Sequence, residues 1–168
     1  MTRRLVTGWE GRFFEDFEVG DVYRCRIGRT VTLSDNIQFT LLTNNTNQIH
    51  FNADYAAKTE FKRPLINSAL TLSIIGGMGV ADLSENGFAL GWDYISLPHP
   101  VFPDDTLYCE QEITEKRESK SRPGQGIVKA KTRGLNQDGV VVIEYARSVM
   151  VWKRESAPTI HIFPEPKS

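Results

Sequence analysis

The sequence predicts an α+β fold: a single domain in which one long antiparallel sheet wraps around one buried central helix. Three observations carry this. Residues 67–82, NSALTLSIIGGMGVAD, are apolar nearly all round at helical spacing, which marks a helix buried by its surroundings. From Phe88 onward the chain is strand-like throughout, with candidate strands at 90–97, 106–118, 126–135 and 140–153. The segments HPVFPDD, SRPGQG and NQDG separate them, the last being a hairpin signal.

Residues 1–12 read as a loose N-terminal arm. Residues 13–21, FFEDFEVGD, are aromatic and acidic and end in a Gly-Asp turn. Residues 22–32 alternate well enough for a strand pair bent near Gly28. Ser34 suits an N-cap and Asp35 a first helical turn. The helix that follows runs to about Thr43 and places Ile37, Leu41 and Leu42 on one face. Residues 53–59 form a short helical turn, and Pro64 restricts Arg63 to an extended form. Asn67 or Ser68 caps the buried helix. Gly76, Gly77 and Gly79 each cost it roughly 1 kcal/mol against alanine, tolerable where another backbone comes close, as on the concave face of a sheet. Strands 106–118 and 140–153 exceed the usual length of about 5–6 residues, so the sheet coils. The last segment, 155–168, is an irregular tail, leaving 13–154 as the folded domain. A sheet wrapped on one helix leaves an open edge, and pairing two sheets edge to edge would close it, so a homodimer or dimer of dimers is expected.

The 168 residues suit one domain with a real core. With 40% hydrophobic and 24% charged residues the chain is an ordinary globular protein. A formal net charge of −1 gives no overall pull toward nucleic acid. No stretch approaches the about 20 apolar residues that span a bilayer. The N-terminus has arginines but no apolar run behind them, so it does not read as a secretory signal, and a cytoplasmic location is expected. Cys25 and Cys109, far apart in sequence, are expected as reduced thiols. The histidines and cysteines show no ligand spacing, so neither a metal nor any cofactor is expected.

The most specialised stretch is the loop TNNTNQIHFN, residues 43–52. One histidine, His50, sits among Asn44, Asn45, Asn47 and Asn52. Such a loop can hold a titratable nitrogen and several hydrogen-bonding groups in fixed positions, the equipment for acid–base chemistry on a carbonyl compound. It holds no carboxylate.

From FEDFEVGD to about Lys153 the chain resembles the MaoC-like dehydratases, the family of R-specific enoyl-CoA hydratases with the hot-dog fold. The family's signature is a small residue, Gly-Asp, any residue and Asn-Pro-aliphatic-His, with Tyr-Ala several residues later. Asn47, Ile49, His50, Tyr55 and Ala56 match it, whereas Asn44, Asn45 and Gln48 stand for Gly, Asp and Pro. The family's Pro-aliphatic-aliphatic-His-Gly segment reads here Pro64-Leu65-Ile66-Asn67-Ser68. These departures, with GWDYISLPHPVFPDDTLY and KRESKSRPGQGIV, resemble a branch related to mesaconyl-CoA and itaconyl-CoA hydratases.

The resemblance implies a hydratase/dehydratase that adds or removes water across an enoyl-CoA thioester, with coenzyme A entering only as part of the substrate. It implies His50 as acid/base, Asn45 in the carboxylate's place, and Asn47, Asn67 and Ser68 as substrate-binding or oxyanion groups. Asp54 and Asp35 are the nearest carboxylates in sequence, and neither is a strong substitute. Plain turn chemistry also accounts for one of Asn44, Asn45 and Asn47, and N-capping for Asn67 and Ser68. The basic run Lys116, Arg117, Lys120 and Arg122 suits CoA phosphates and a solvated hairpin tip equally. His99 and His161 read as structural. A non-catalytic thioester-binding protein and a thioesterase remain as alternatives.

Overall fold

The computed structural model describes residues 8–159 together with Arg4, Val6 and Pro164. Six antiparallel strands form the sheet: β1 (Val22–Arg24), β2 (Arg29–Thr30), β3 (Gly87–Ser96), β4 (Thr106–Glu118), β5 (Gln125–Leu135) and β6 (Val141–Trp152). Their order is β1-β4-β5-β6-β3, with β2 also pairing with β4. The expected bent pair is thus a single path along β4, broken at residues 25–28. A Cβ on Gly28 would stand 2.5 Å from the Tyr108 ring, so only glycine allows this approach.

Four helices follow in chain order: α1 (Leu33–Leu42), α2 (Ala53–Ala57), α3 (Ser68–Met78) and α4 (Val80–Leu83). Gly79 joins α3 to α4 over the concave face of the sheet. A Cβ there would meet Gln111 Oε1 at 2.5 Å, and Gln111 Nε2 donates to the Gly79 carbonyl at 3.2 Å. The close approach at Gly79 is made by the Gln111 side chain and not, as expected, by another backbone. Gly77 faces nothing within 4 Å.

Two expectations are corrected. The central helix is buried on one side only: Leu70, Thr71, Ile74 and Ile75 face the sheet, while Ser68, Ala69, Ser73 and Gly77 are exposed. One sheet can cover one face, and the small residues of the other face stay open in a single chain. In α1 the buried residues are Asn36 and Thr40, whereas Leu41 and Leu42 are exposed. Hydrogen bonding, described below, turns this helix by its polar side. Its cap is Thr32, not Ser34, which closes a reciprocal capping box with Asp35.

The core has two apolar clusters on the concave face. One centres on Leu70, Ile75, Leu107, Cys109, Ile143 and Tyr145, the other on Phe17, Leu83, Ile113, Val128 and Val149. Between them along the strands lie the buried polar residues Gln111, Thr132 and Arg147. The arm is also less loose than its composition suggests. Trp9 Nε1 donates to the Ala81 carbonyl at 3.0 Å, and Arg12 pairs with Asp82 at 2.6 Å, so residues 9–12 are tied to α4. His161 lies outside the described residues.

Candidate active site

The amide-rich loop is built by a chain of caps. Helix α1 ends in a Schellman motif, in which Asn45 N–H donates to the Thr40 carbonyl at 3.0 Å and Asn44 N–H to the Leu41 carbonyl at 3.1 Å. Asn44 takes the left-handed conformation this requires, at φ 54°. Asn45 Oδ1 accepts from Asn47 N–H at 3.0 Å, and Asn47 Oδ1 from Ile49 N–H at 3.2 Å, starting a single 3₁₀ turn at Gln48–His50. Asn52 Oδ1 accepts from Tyr55 N–H at 3.1 Å and starts α2. Turn chemistry thus engages one oxygen on each of Asn45, Asn47 and Asn52.

The chain leads these caps to His50, which is buried. Its Nδ1 lies 2.8 Å from the Leu65 carbonyl oxygen. A carbonyl only accepts, so Nδ1 carries the proton and Nε2 presents a lone pair. Leu65 N–H in turn donates to the Ile49 carbonyl at 3.1 Å, tying the turn to the segment that enters α3.

Asn36 cross-links this junction. Its Nδ2 donates to the His50 carbonyl at 2.6 Å and to the Leu65 carbonyl at 3.0 Å, while its Oδ1 accepts from Asn67 N–H at 2.8 Å. One fully buried amide thereby brings the histidine turn to the N-terminus of α3. Asn67 caps that helix through Oδ1 to Ala69 N–H at 2.9 Å, and its Nδ2 donates to Thr40 Oγ1 at 3.3 Å. Both ends of the Asn67 amide are therefore engaged by the fold, and the side chain is 4% exposed. Sequence reasoning missed Asn36 and Thr40. Their one signal is a polar pair four residues apart on a helix whose apolar residues fall on the other side.

Ser68 opens α3. As a first-turn residue its N–H has no carbonyl of the helix to bond. With Phe61, Leu65, Ile66, Thr71 and His99 it lines a cleft of about 230 Å³. His99 was read as structural, and its Nδ1 does lie 2.9 Å from the Val141 carbonyl oxygen. Its place in the wall beside Ser68 was not legible from the sequence. Next to this wall Arg63 stacks on Phe102 at 3.8 Å.

The two carboxylates nearest in sequence are used elsewhere. Asp54 pairs with Lys58 at 2.6 Å on the exposed side of α2. Asp35 accepts from Thr32 N–H at 2.9 Å and from Arg29 at 3.0 Å. The backbone N–H of Thr32 is the main reason its carboxyl is held below the usual range. Among the described residues no carboxylate bonds to His50.

The basic run does not converge on His50 within this chain. Lys116 Nζ donates to the Phe17 carbonyl at 2.6 Å, and Arg122 lies over Phe88 and donates to Gln125. Arg117 lines a shallow surface with Leu90 and Trp92. Lys120 sits in the turn after β4. These residues are at the far end of β4, whereas Ile66 near His50 bonds to Val101 just before its start. The 13 residues of β4 span roughly 40 Å at strand rise.

A family model described as mesaconyl-CoA hydratase matches residues 1–161. The mesaconyl-CoA hydratase of Cereibacter sphaeroides is 32% identical over 148 residues, covering 88% of this chain and 43% of that protein. The chain thus spans less than half the length of this relative. The (R)-specific enoyl-CoA hydratase of Aeromonas caviae is 27% identical over 129 residues, covering 77% of this chain and 91% of that one. A solved MaoC domain protein from Chloroflexus aurantiacus superposes with a TM-score of 0.84 at 31% identity, covering 98% of this chain and 48% of its own. The chain belongs to the mesaconyl-CoA hydratase family of MaoC-like hot-dog proteins.

Proposed function

We propose that this chain is an acyl-CoA hydratase/dehydratase acting on a short, branched or dicarboxylic α,β-unsaturated thioester, with His50 as its acid–base group. The observation that carries the reading is the Nδ1 bond to Leu65, which leaves Nε2 as the ring nitrogen able to accept a proton, on a turn that Asn36 ties to the start of α3. In hydration, Nε2 removes a proton from water as the oxygen attacks the β-carbon. The thioester oxygen gains charge as the enolate forms, and the Ser68 N–H and the positive end of α3 stabilise it. The imidazolium then returns a proton to the α-carbon. Asn45 stands where the family has a carboxylate; its free Nδ2 hydrogens can hold the attacking water, but it cannot be a base. Asn47, beside it, shapes the turn. CoA arrives with the substrate, and no other cofactor enters this scheme.

The proposed assembly is a homodimer through β3, the free edge of the sheet, where Phe88, Leu90, Trp92, Tyr94 and Ile95 are 42–47% exposed. A relative more than twice as long supports pairing of two such units. A cytoplasmic location is part of the reading, supported by two unbridged cysteines. Among the described residues no helix is long and apolar enough to cross a membrane.

The test is incubation with crotonyl-, mesaconyl- and itaconyl-CoA, following the conjugated enoyl absorbance and the product mass. Water addition is expected with at least one. Release of free CoA would establish a thioesterase, and binding without conversion of any would establish the non-catalytic alternative.

A further inference from the structure

Cys25 and Cys109 lie opposite each other. The pairing that joins Tyr23 to Gln111 and Arg24 to Glu110 continues past β1, and Cys25 N–H donates to the Cys109 carbonyl at 2.9 Å. Residues paired in this way have Cα atoms about 5.5 Å apart, within the range that a disulfide spans. Their side chains share the concave face of the sheet, where Cys25 packs against the cluster that contains Cys109. Cys109 is buried. Cys25 is partly exposed and lines two surface cavities of about 360 and 380 Å³. Arg147, 5% exposed, adds a charge to this interior, and its Nε and one Nη have no hydrogen-bond partner among the described residues.

We propose that Cys25 and Cys109 are an oxidation site: a dithiol that a hydroperoxide converts to an intrachain disulfide, Cys25 attacking and Cys109 resolving. The surroundings divide the two roles. The neighbouring Cys109 thiol lowers the Cys25 pKa most, against burial and the Asp82 charge, which raise it, and the Arg147 charge adds the smallest lowering. The same contact and burial raise that of Cys109, which keeps its proton. In the first step the Cys25 thiolate attacks the distal peroxide oxygen. The O–O bond breaks, the sulfur becomes a sulfenic acid, and the alkoxide leaves and takes a proton from solvent. In the second, Cys109 sulfur attacks Cys25 sulfur and gives up its thiol proton, the S–O bond breaks, and water leaves. The two sulfurs lose two electrons in all, and the peroxide gains them. A small-molecule thiol reverses the bond by exchange.

The test uses the full chain with hydrogen peroxide in slight excess, followed by denaturation, thiol titration and intact mass. The expected product has lost the mass of two hydrogens, titrates no thiols, remains a single chain without reductant, and recovers both thiols with dithiothreitol. Cys109→Ser is expected to stop at a Cys25 sulfenic acid that dimedone captures, while Cys25→Ser leaves Cys109 unreacted. Arg147→Gln is expected to slow alkylation of Cys25 at neutral pH, an effect of losing thiolate. Should Arg147→Gln not fold, the cysteine variants, which only exchange sulfur for oxygen, decide the matter. Two titratable thiols remaining after peroxide, or bridges formed only between chains, would overturn the proposal.

Discussion

His50 Nδ1 and the Leu65 carbonyl oxygen, 2.8 Å apart, fix which ring nitrogen can accept a proton. Leu65 belongs to the segment that enters α3, so the bond also ties the histidine turn to that helix. His50→Ala removes both. Its turnover is expected to fall by about 10²- to 10⁴-fold, the range for loss of a positioned acid–base group. Loss of the one side-chain hydrogen bond costs about 1 kcal/mol of stability. Steady-state rates with the best enoyl-CoA, read beside a urea melt, separate the two. A folded variant with full activity removes His50 from the mechanism.

Asn36 touches no reacting atom, yet its removal is expected to damage both fold and rate. Asn36→Ala leaves the His50 and Leu65 carbonyls short of a donor and the Asn67 N–H without an acceptor, in a fully buried place. Each stranded group costs about 1–3 kcal/mol, so a loss of roughly 3 kcal/mol or more is expected. Urea unfolding measures it. In the fraction still folded, kcat should drop more than KM rises, because the group disturbed is the base rather than the binding cleft. A loss below about 1 kcal/mol would mean that water replaces the amide.

How far these features were legible differs between backbone and interior. The strands after Phe88, the buried helix and the histidine loop could be read because periodicity and turn residues are local signals. The inward turn of α1 could not: Leu41 and Leu42 argue for one face, and the bonds of Asn36 to residues 50, 65 and 67 argue for the other. Only tertiary pairing reveals those partners. The same holds for Cys25 and Cys109, which sequence distance separates and strand register joins. The basic run illustrates the converse, since Lys116 and Arg122 look free in sequence but are held by Phe17 and Gln125 in the fold.

Asn45→Asp tests the family's missing carboxylate. An aspartate keeps the oxygen that accepts from Asn47 N–H, so stability should change by no more than about 0.5 kcal/mol. The rate with crotonyl-CoA is expected to rise, and its pH profile to gain an acidic limb from the new base. An unchanged profile would show that position 45 does not contact the attacking water.

Asp35 gives the α1 cap a pH dependence. Hydrogen bonding to Thr32 N–H lowers its folded pKa, so the stabilisation is present above the ordinary carboxylate range and lost as pH falls through the lowered value. Asp35→Ala is accordingly expected to cost about 1 kcal/mol at neutral pH. The gap between variant and parent should close as the solution is acidified through the carboxylate range. Urea midpoints at successive pH values measure this. A gap that persists unchanged in strong acid would assign the cap's worth to Thr32 alone.

In the proposed homodimer β3 is the contact edge. Its inner side pairs with β6 and its outer side carries unpaired backbone groups, flanked by Trp92 and Tyr94 at 47% and 42% exposure. An edge with this apolar content invites a second copy, whose strand would satisfy the backbone while the aromatic residues lose water. The open face of α3 lies in the same chain with small residues outward, so a second unit would find room there as well. Trp92→Glu places a charge where that contact would be dry, and the cost of burying it exceeds what one aromatic contact contributes. Light scattering after gel filtration is expected to give twice the chain mass for the parent and the chain mass for the variant. If the parent is a monomer at micromolar concentration, β3 is not a self-association edge. If Trp92→Glu is still a dimer, the two copies meet elsewhere.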